Sequence, residues 1–261
     1  MIIIDKNSYT VFSGGEVHLK ALPCFTKKVG AYKIICKDYS MNGFFALAQA
    51  VEVIKRNHSK YHITVIYPYL PYARQDRVFD PTSPFSLKTF TKLLSSLFVT
   101  KVYVWDAHSD VGPGLINNCT NIPQHEIFAQ CQVRSADLYI SPDAGAYKKI
   151  SKLPVASEVI ALGTKIRNLT GNIIDTKIYG PTVEGKHCLI VDDICDGGRT
   201  FIELAKKLKE NGAACVELYV THGIFSNGFD ELRTCIDRIY TTNSFESPVP
   251  EDFVTRSVIE C

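Results

Sequence analysis

The residue types best suited to chemistry lie together at residues 187–208, in the run HCLIVDDICDGGRTFIELAKKL. An apolar segment typical of a buried strand leads to two adjacent acids, Asp192 and Asp193. Asp196 and a Gly-Gly pair then form a turn before an amphipathic helix. Such a turn attracts anions, and nearby carboxylates would repel an anion unless the two features contact different parts of one ligand. The run therefore indicates a ligand that is anionic at one end and hydroxylated at the other.

The turn at 196–200 has the composition of a phosphate site. Glycine lets backbone N–H groups converge, and the N-terminus of the following helix adds its positive potential. We expect Thr200 to be the N-cap of a helix that begins at Phe201. A sugar phosphate would place its phosphate on this turn and its neighbouring hydroxyls on the two aspartates, with or without a bridging metal. The alternative is that the two acids simply end a strand and that one of them caps a turn. That alternative would explain an isolated acid pair, but not an acid pair followed by a third acid, two glycines and an amphipathic helix.

The elements that must position these residues alternate between strands and helices. Short apolar segments predict strands at 33–36, 62–69, 101–106, 137–142, 188–193 and 215–222. Between them, apolar residues recur at helical spacing from Phe44, Phe90 and Phe201. This alternation predicts an α/β fold with mainly parallel sheets, and polar clusters follow four of the strands. Because open parallel sheets bind ligands at the carboxyl ends of their strands, we expect those clusters to line binding sites.

The composition of the whole chain argues against several classes of protein. The 261 residues suffice for one large or two modest domains, 46% of them are hydrophobic, and the net charge is +2. This balance predicts no nucleic-acid partner and no membrane partner, and no apolar run is long enough to cross a bilayer. Nine cysteines without a CxxC pair predict reduced thiols. Together with a start that lacks the features of a signal peptide, they predict a cytoplasmic protein.

The run at 187–208 resembles the signature with which type I phosphoribosyltransferases and ribose-phosphate pyrophosphokinases bind phosphoribosyl pyrophosphate (PRPP). It departs from that signature at 197–199, where Gly-Gly-Arg replaces Thr, a small residue and Gly. The resemblance implies two tandem phosphoribosyltransferase-like domains, each a mainly parallel sheet flanked by helices. We expect an ATP-binding domain at 1–122 and a ribose-5-phosphate-binding domain at 123–261. The residues that the resemblance assigns to ribose 5-phosphate are Asp192, Asp193, Asp196, Gly197, Gly198, Arg199 and Thr200.

A second motif, PYARQDR at 71–77, resembles the stretch with which ribose-phosphate pyrophosphokinases hold ATP. The resemblance assigns Arg74 and Gln75 to the nucleotide, and Arg77 adds positive charge to the same ATP site. Arginine offers a planar fork that can stack on a purine or pair with phosphate, and glutamine can satisfy an adenine edge. A solvated surface turn is the alternative for such a charged tetrapeptide, and the proline and tyrosine before it favour a binding role.

A third motif, FSGGE at 12–16, is similar to the family's FSDGE. In that family this element reaches an ATP site from a neighbouring subunit, which implies at least a dimer. Phe12 could stack on adenine and Glu16 could accept a hydrogen bond from its amino group. Gly14 stands where the family has aspartate.

Three further motifs resemble the family's metal-binding and catalytic elements. DAHSD at 106–110 supplies His108, which the resemblance assigns to Mg²⁺ and ATP, and SPDAGAY at 141–147 supplies Asp143, assigned to Mg²⁺. Histidine is an unusual ligand for so hard a cation, so its spacing alone would not have indicated this role. GTKIRNL matches the Lys-x-Arg of a mobile catalytic loop, and by that resemblance Lys165 and Arg167 are catalytic.

The resemblance covers about residues 12–225 and implies a short form of the enzyme. The expected reaction is Mg²⁺-dependent transfer of pyrophosphate from ATP to the 1-hydroxyl of ribose 5-phosphate, which yields PRPP and AMP. The expected partners are these two substrates and further copies of the chain. Two other functions stay open from the sequence: a phosphoribosyltransferase that consumes PRPP, and a non-catalytic relative that binds nucleotide or a partner.

Overall fold

The computed structural model describes residues 1–21, 30–155, 160–167 and 173–260, and for 160, 164–167 and 173–177 it describes the backbone alone. The chain divides into two units, at Met1–Pro123 and Gln124–Glu260. Each unit has its own sheet and its own hydrophobic core. Within the described ranges, no helix is long and apolar enough to cross a membrane.

The N-terminal unit is built on a five-stranded parallel sheet. Its strands and helices, in chain order, are β1 (Ile2–Ile4), β2 (Tyr9–Val11), β3 (Val17–Leu19), β4 (Ala31–Cys36), α1 (Met41–Asn57), β5 (His62–Tyr67), α2 (Ser86–Ser96), β6 (Lys101–Trp105), α3 (Val111–Leu115) and β7 (Cys119–Ile122). The sheet order is β1-β4-β5-β6-β7, and β2 and β3 form a separate antiparallel pair. The polar motifs of this half follow β5 and β6, at the carboxyl ends of adjacent strands.

The C-terminal unit is built on a seven-stranded sheet. Its elements are α4 (Gln124–Phe128), β8 (Leu138–Ser141), α5 (Ala144–Ile150), β9 (Ile160–Arg167), β10 (Ile173–Tyr179), β11 (His187–Cys195), α6 (Arg199–Glu210), β12 (Cys215–Gly223), β13 (Arg238–Thr242) and β14 (Val254–Ser257). The sheet order is β10-β9-β8-β11-β12-β13-β14. All neighbouring pairs are parallel except β9 and β10, which are antiparallel.

Strand β11 is central to this sheet and is buried on both faces. Cys188 and Ile190 belong to the core cluster that also contains the apolar side chains of α6. Leu189 and Val191 belong to a second cluster, which contains the apolar side chains of α5. Such two-sided burial explains why the sequence of β11 is a continuous apolar run rather than an alternating one. The acids that follow therefore continue a strand whose side chains alternate between the α6 and α5 layers.

The alternation of strands and helices predicted from the sequence is confirmed, with two differences in detail. Strand β11 continues to Cys195, beyond the predicted end at 193, because its pairing with β12 runs on to the Cys195–Gly223 register. The segment with Lys165 and Arg167, predicted as a loop, is strand β9 paired with β10. Side-chain periodicity could not show this pairing, since it arises from backbone hydrogen bonds between the two strands.

Candidate substrate site

Asp192 and Asp193 lie within β11 and have different surroundings. The Asp193 side chain is buried, and its Oδ2 accepts a hydrogen bond from Lys149 Nζ on α5 at 2.9 Å. Asp192 is half-buried, and its Oδ1 accepts from the backbone N–H of Asp193 at 2.9 Å. Because adjacent strand residues alternate between faces, the Lys149 ammonium pairs directly with only one of the two acids. No motif in the sequence indicates this role for Lys149.

The carboxyl group of Asp192 lies in an acid-rich environment. Burial raises its pKa well above the ordinary value, and the charges of Asp193 and Asp143 raise it further. The positive charge of Lys149 offsets only part of this increase in the pKa of Asp192. The buried side chain of Gln124 donates from Nε2 to the carbonyl oxygen of Asp192 at 2.9 Å, which anchors the backbone at this point. A group of like charges at the end of a strand favours a ligand that brings hydrogen-bond donors or positive charge.

The glycine turn after β11 leads directly into helix α6. Gly198 has φ +79°, a left-handed conformation that favours glycine, and it is the N-cap residue. A Cβ at this position would also lie 3.1 Å from Leu232 Cδ2. The prediction that Thr200 caps a helix starting at Phe201 is therefore wrong: α6 begins at Arg199, because the left-handed Gly198 completes the turn two residues earlier.

The N-cap residue of α6, Gly198, has no side chain that could cap the helix. The amide groups of the first turn of a helix lack intrahelical partners, and they bind anions when no capping side chain takes them. Arg199 lies on the solvent side of this turn, exposed, with its Nε 3.0 Å from Glu203 Oε1. Its side chain therefore pairs along the helix surface. Thr200, half-buried, lies in the first helical turn.

The loop after β12 supports the glycine turn and was missed by the sequence analysis. The backbone N–H of Ser226 donates to the carbonyl of Asp196 at 3.1 Å, and Asn227 Nδ2 donates to the carbonyl of Gly197 at 3.3 Å. Phe225 has φ +51°, an uncommon conformation for a large side chain. The only available signal was that polar residues follow a predicted strand here, as they do in the other four clusters.

Asp143 follows β8 and caps helix α5. Its Oδ1 accepts hydrogen bonds from the N–H groups of Gly145 and Ala146, at 2.9 and 3.0 Å. The side chain is solvent-exposed at the same edge as Asp192, whose pKa its charge raises. Ala146, which replaces a glycine of the family motif, is buried against the α5 core cluster, so its methyl group adds to packing.

Lys165 and Arg167 are two residues apart in β9, opposite Thr176 and Ile173 of β10. Their side chains lie outside what the structure describes. The thiol of Cys195, at the end of β11, is not a nucleophile at neutral pH, because burial and the charges of Asp192 and Asp196 raise its pKa to about 12.

The N-terminal unit gathers PYARQDR and His108 at the ends of β5 and β6. Arg74, Gln75, Arg77 and His108 are all exposed, while Asp76 between them is buried. Arg77 binds Asp76 through Nε–Oδ1 at 2.7 Å and Nη2–Oδ2 at 3.2 Å. This pairing lowers the pKa of Asp76 below its ordinary value despite its burial, and the charge of His108 lowers it further. Asp76 thus links the two loops, a role that the sequence analysis did not assign.

The FSGGE segment forms the turn between β2 and β3. The backbone N–H of Phe12 donates to the carbonyl of Glu16 at 2.9 Å, and Gly15 N–H donates back to the carbonyl of Phe12 at 2.8 Å. The side chains of Phe12 and Glu16 are exposed, and 57% of the Phe12 surface is accessible. A Cβ on Gly14 would lie 2.6 Å from Glu16 Oε2, so an aspartate there would force the Glu16 carboxylate to move.

Comparison with known proteins identifies both halves. Residues 12–97 match the family model described as the N-terminal domain of ribose phosphate pyrophosphokinase, and residues 157–252 match the phosphoribosyl transferase domain. A ribose-phosphate pyrophosphokinase of Mycoplasmopsis pulmonis is 30% identical over 253 residues, which cover 91% of this chain and 76% of that protein. Another, of Ureaplasma parvum, is 31% identical over 185 residues, which span 68% of this chain but only 56% of its relative's length.

The fold also matches a solved structure. The phosphoribosylpyrophosphate synthetase of Mycobacterium smegmatis superposes with a TM-score of 0.77 over 96% of this chain and 85% of that one, at 22% sequence identity. This similarity confirms the prediction of two tandem phosphoribosyltransferase-like domains with mainly parallel sheets. With the match to the relative from Mycoplasmopsis pulmonis over three quarters of its length, the chain belongs to the ribose-phosphate pyrophosphokinase family.

Proposed function

We propose that this protein transfers the pyrophosphoryl group of ATP to the 1-hydroxyl of ribose 5-phosphate, forming PRPP and AMP. The observation that carries the proposal is the junction of β11 and α6. There, a strand that carries two adjacent carboxylates near its end leads through a short turn to a helix whose N-cap is a glycine. A phosphorylated sugar satisfies both features, because its phosphate accepts from amide groups and its hydroxyls donate to carboxylates.

Ribose 5-phosphate would bind with its phosphate on the 196–200 turn. The amide groups around Gly197 and Gly198, with the first turn of α6, would hold the phosphate oxygens. Thr200 would add a hydroxyl donor, and Arg199 would add positive charge at the solvent side. Asp192 and Asp193 would accept hydrogen bonds from the ribose hydroxyls, and Asp196 would complete the acidic rim of the turn. Lys149 supports this arrangement by fixing the Asp193 carboxylate.

ATP would bind at the loops of the N-terminal unit. Arg74 and Gln75 are exposed at the end of β5, where the guanidinium and amide groups can contact phosphate and adenine. Arg77 adds positive charge while it orients the buried Asp76. We further propose that Phe12 and Glu16 complete the ATP site of a neighbouring subunit. The protein would then work as a homo-oligomer of at least two chains.

The residues present fit a Mg²⁺ ion that arrives with the phosphates of ATP. Mg²⁺ is usually held by one or two carboxylates together with phosphate oxygens and water, rather than by a closed protein cage. Asp143 offers an exposed carboxylate at an edge where like charges already raise the pKa of Asp192, and a cation would relieve that repulsion. Asp143 would supply a carboxylate for Mg²⁺ in the C-terminal unit, and His108 would supply a ring nitrogen in the N-terminal unit. Bound there, Mg²⁺ would neutralise phosphate charge and orient the leaving group.

The chemistry needs positioning and charge neutralisation, and no protein nucleophile. The 1-hydroxyl oxygen of the sugar attacks the β-phosphorus in line, the bond from that phosphorus to the bridging oxygen of the α-phosphate breaks, and AMP leaves with that oxygen. Lys165 and Arg167 would stabilise the negative charge on the transferred group. The high pKa of the Cys195 thiol agrees with a mechanism without a cysteine nucleophile. The seven described cysteines are free, which supports a reducing compartment such as the cytoplasm.

The direct test is AMP formation from ATP, Mg²⁺ and ribose 5-phosphate, with the sugar omitted as the control. We expect AMP only when the sugar is present. A phosphoribosyltransferase would instead consume PRPP with a nucleobase in the absence of ATP, and a non-catalytic relative would bind ATP without turnover. Either of these results would overturn the proposal.

A further inference from the structure

A second set of metal-binding side chains lies at the opposite end of the C-terminal sheet. His187 is the first residue of β11, Cys215 is the first residue of β12, and Glu217 follows two positions later. His187 pairs in register with Cys215, and paired residues of parallel strands project to the same face, as do residues two apart. The potential ligand atoms of the three residues lie within 4.8 Å of one another. In the part of the chain that the structure describes, they are the only three such side chains that converge this closely.

The cluster is rigidly supported. His187 Nε2 and Glu217 Oε2 are 2.8 Å apart, and both side chains are buried. Tyr240 donates from its hydroxyl to the same Glu217 oxygen at 3.2 Å. The backbone N–H of His187 donates to Asp137 Oδ2 at 2.9 Å, which fixes the start of the strand. Cys215 is only half-buried, so an ion has a path from solvent to the site.

We propose that His187, Cys215 and Glu217 bind a zinc ion, with water as the fourth ligand. A tetrahedral zinc ion with bonds of 2.0 to 2.2 Å to nitrogen and oxygen needs those two atoms about 3.3 Å apart, so the His187–Glu217 separation must widen by about half an ångström. The ion takes the place of the proton between the two atoms, that proton moves to Nδ1 of the His187 ring, and the thiol releases its proton to solvent. Thiolate and imidazole ligands select zinc over the oxygen-preferring Mg²⁺, so this site differs in chemistry from that of the ATP phosphates.

A metal-free hydrogen bond between His187 and Glu217 is the competing explanation of this cluster. Such a pair accounts for the two buried side chains and for the contact with Tyr240. It leaves the thiol of Cys215 outside the His187–Glu217 pair, where the thiol interacts with the Asp237 carboxylate instead. Loss of a metal signal on removal of that sulfur therefore distinguishes the two accounts.

The test is Co²⁺ binding to the full chain in a buffer with excess Mg²⁺, followed by absorption spectroscopy. Thiolate bound to Co²⁺ gives an intense near-ultraviolet charge-transfer band, and oxygen sites filled by Mg²⁺ do not. We expect the band to saturate at one equivalent and to be displaced by one equivalent of Zn²⁺. Cys215→Ser should abolish it. Cys119→Ser, which removes a thiol of similar exposure from the N-terminal unit, should leave it unchanged.

Two further measurements protect the test against a variant that fails to fold. Zn²⁺ should raise the thermal unfolding midpoint of the unchanged protein, because a ligand that binds only the folded state stabilises it. Glu217→Gln keeps an oxygen for His187 and Tyr240, and it should weaken Co²⁺ affinity by at least tenfold. Absence of the band in the unchanged protein, or its persistence in Cys215→Ser, would overturn the proposal. The Co²⁺ band and the thermal unfolding midpoint can both be measured whether or not the protein makes PRPP.

Discussion

At the scale of single residues, Asp192 shows how a binding group can reduce stability. Its pKa is raised well above the ordinary value by burial and by its acidic neighbours, so the folded protein favours its neutral form. For an acid of this kind, stability is greatest below the ordinary pKa of about 3.9 and falls as the pH rises towards the folded pKa. Asp192 costs stability when charged and lies at the edge of the sheet where we propose that substrate binds, and a binding role explains both.

Asp192→Asn should therefore stabilise the free protein while it impairs catalysis. The amide keeps an oxygen to accept from the N–H of Asp193 and removes the charge. We expect the free energy of unfolding to rise by about 1 kcal/mol at about pH 8, and the gain to shrink as the pH falls and Asp192 becomes protonated. Turnover with ribose 5-phosphate should fall about 10- to 100-fold, since hydrogen bonds to a charged group are lost. Denaturant titrations at several pH values and steady-state kinetics measure both effects.

Asp230→Asn is the matched control, because Asp230 is an exposed acid of the same unit. It should change neither stability nor turnover. Loss of stability at neutral pH in Asp192→Asn would contradict the electrostatic account of this residue.

Lys165→Ala should abolish turnover and leave ATP affinity nearly unchanged. The reason is that Lys165 is proposed to act on charge that develops during transfer, so its loss affects the transition state more than the bound substrate. Kinetics combined with equilibrium ATP titration separate the two effects. Lys186→Ala, at an exposed position of the same unit, is the control. Undiminished turnover in Lys165→Ala would remove this residue from the mechanism.

The residues that could be predicted from the sequence are those in motifs with distinctive composition. The acids and glycines at 192–198 stand out because few structural roles require them together. Lys149 and Asn227 could not be found in this way, because each contacts a partner far along the chain. Asp76 lies inside the PYARQDR motif, but its burial cannot be read from the motif. A lysine on a helix surface is ordinary until the strand beneath it is known.

At the scale of elements, the turn between β11 and α6 has a single conformational requirement. Gly198 has a positive φ and packs against Leu232, so any side chain there strains the backbone and displaces its neighbour. The amide groups that follow it are aligned by this turn. The geometry of the proposed phosphate site therefore depends on a residue that contributes no side chain.

Gly198→Ala should lower the free energy of unfolding by about 1 to 2 kcal/mol, the cost of the left-handed backbone for a residue with a Cβ. It should also raise the KM for ribose 5-phosphate, because the first turn of α6 shifts. Gly185→Ala is the control: Gly185 has φ +68° and open space around it, at a turn before the start of β11. It should lose stability by a similar amount without a change in KM. Equal KM values for the two variants would argue against a phosphate site at 196–200.

Hydrophobic periodicity predicted six of the fourteen strands and the three longest helices that the described residues form, but it could not locate their exact ends. The helix after β11 was placed too late because Thr200 is a good capping residue, whereas the positive φ of Gly198 decides the start. Strand β11 was predicted to end at the acid pair, although the backbone of Ile194 and Cys195 continues to pair with β12. Both errors have the same origin: side-chain patterns report burial, and backbone geometry sets boundaries.

At the scale of the whole molecule, the His187, Cys215 and Glu217 cluster was invisible to motif reading. The sequence lacks a CxxC pair, and these residues join only because β11 and β12 are adjacent and in register. The two-domain α/β fold, by contrast, could be predicted, because only a few architectures accommodate strands that alternate with helices. The pattern of residue types along the sequence therefore does not show which distant segments pack together.

The proposed sharing of the ATP site between subunits predicts complementation. Phe12→Ala and Lys165→Ala should each be nearly inactive alone, and a mixture whose subunits exchange should regain partial activity. Activity returns because a site can combine an intact Phe12 from one chain with an intact Lys165 from another. The molar mass of the protein in solution should be measured in parallel by light scattering. We expect a mass of at least two chains. A monomeric active enzyme, or no recovery despite verified exchange, would contradict the shared site.

The central claim, transfer of an intact pyrophosphoryl group to the sugar, is tested most directly with ATP labelled at the γ-phosphorus. The chain is incubated with labelled ATP, Mg²⁺ and ribose 5-phosphate, and the products are separated. We predict that the label moves into PRPP in an amount equal to the AMP formed. Label in inorganic phosphate with none in PRPP would contradict the account.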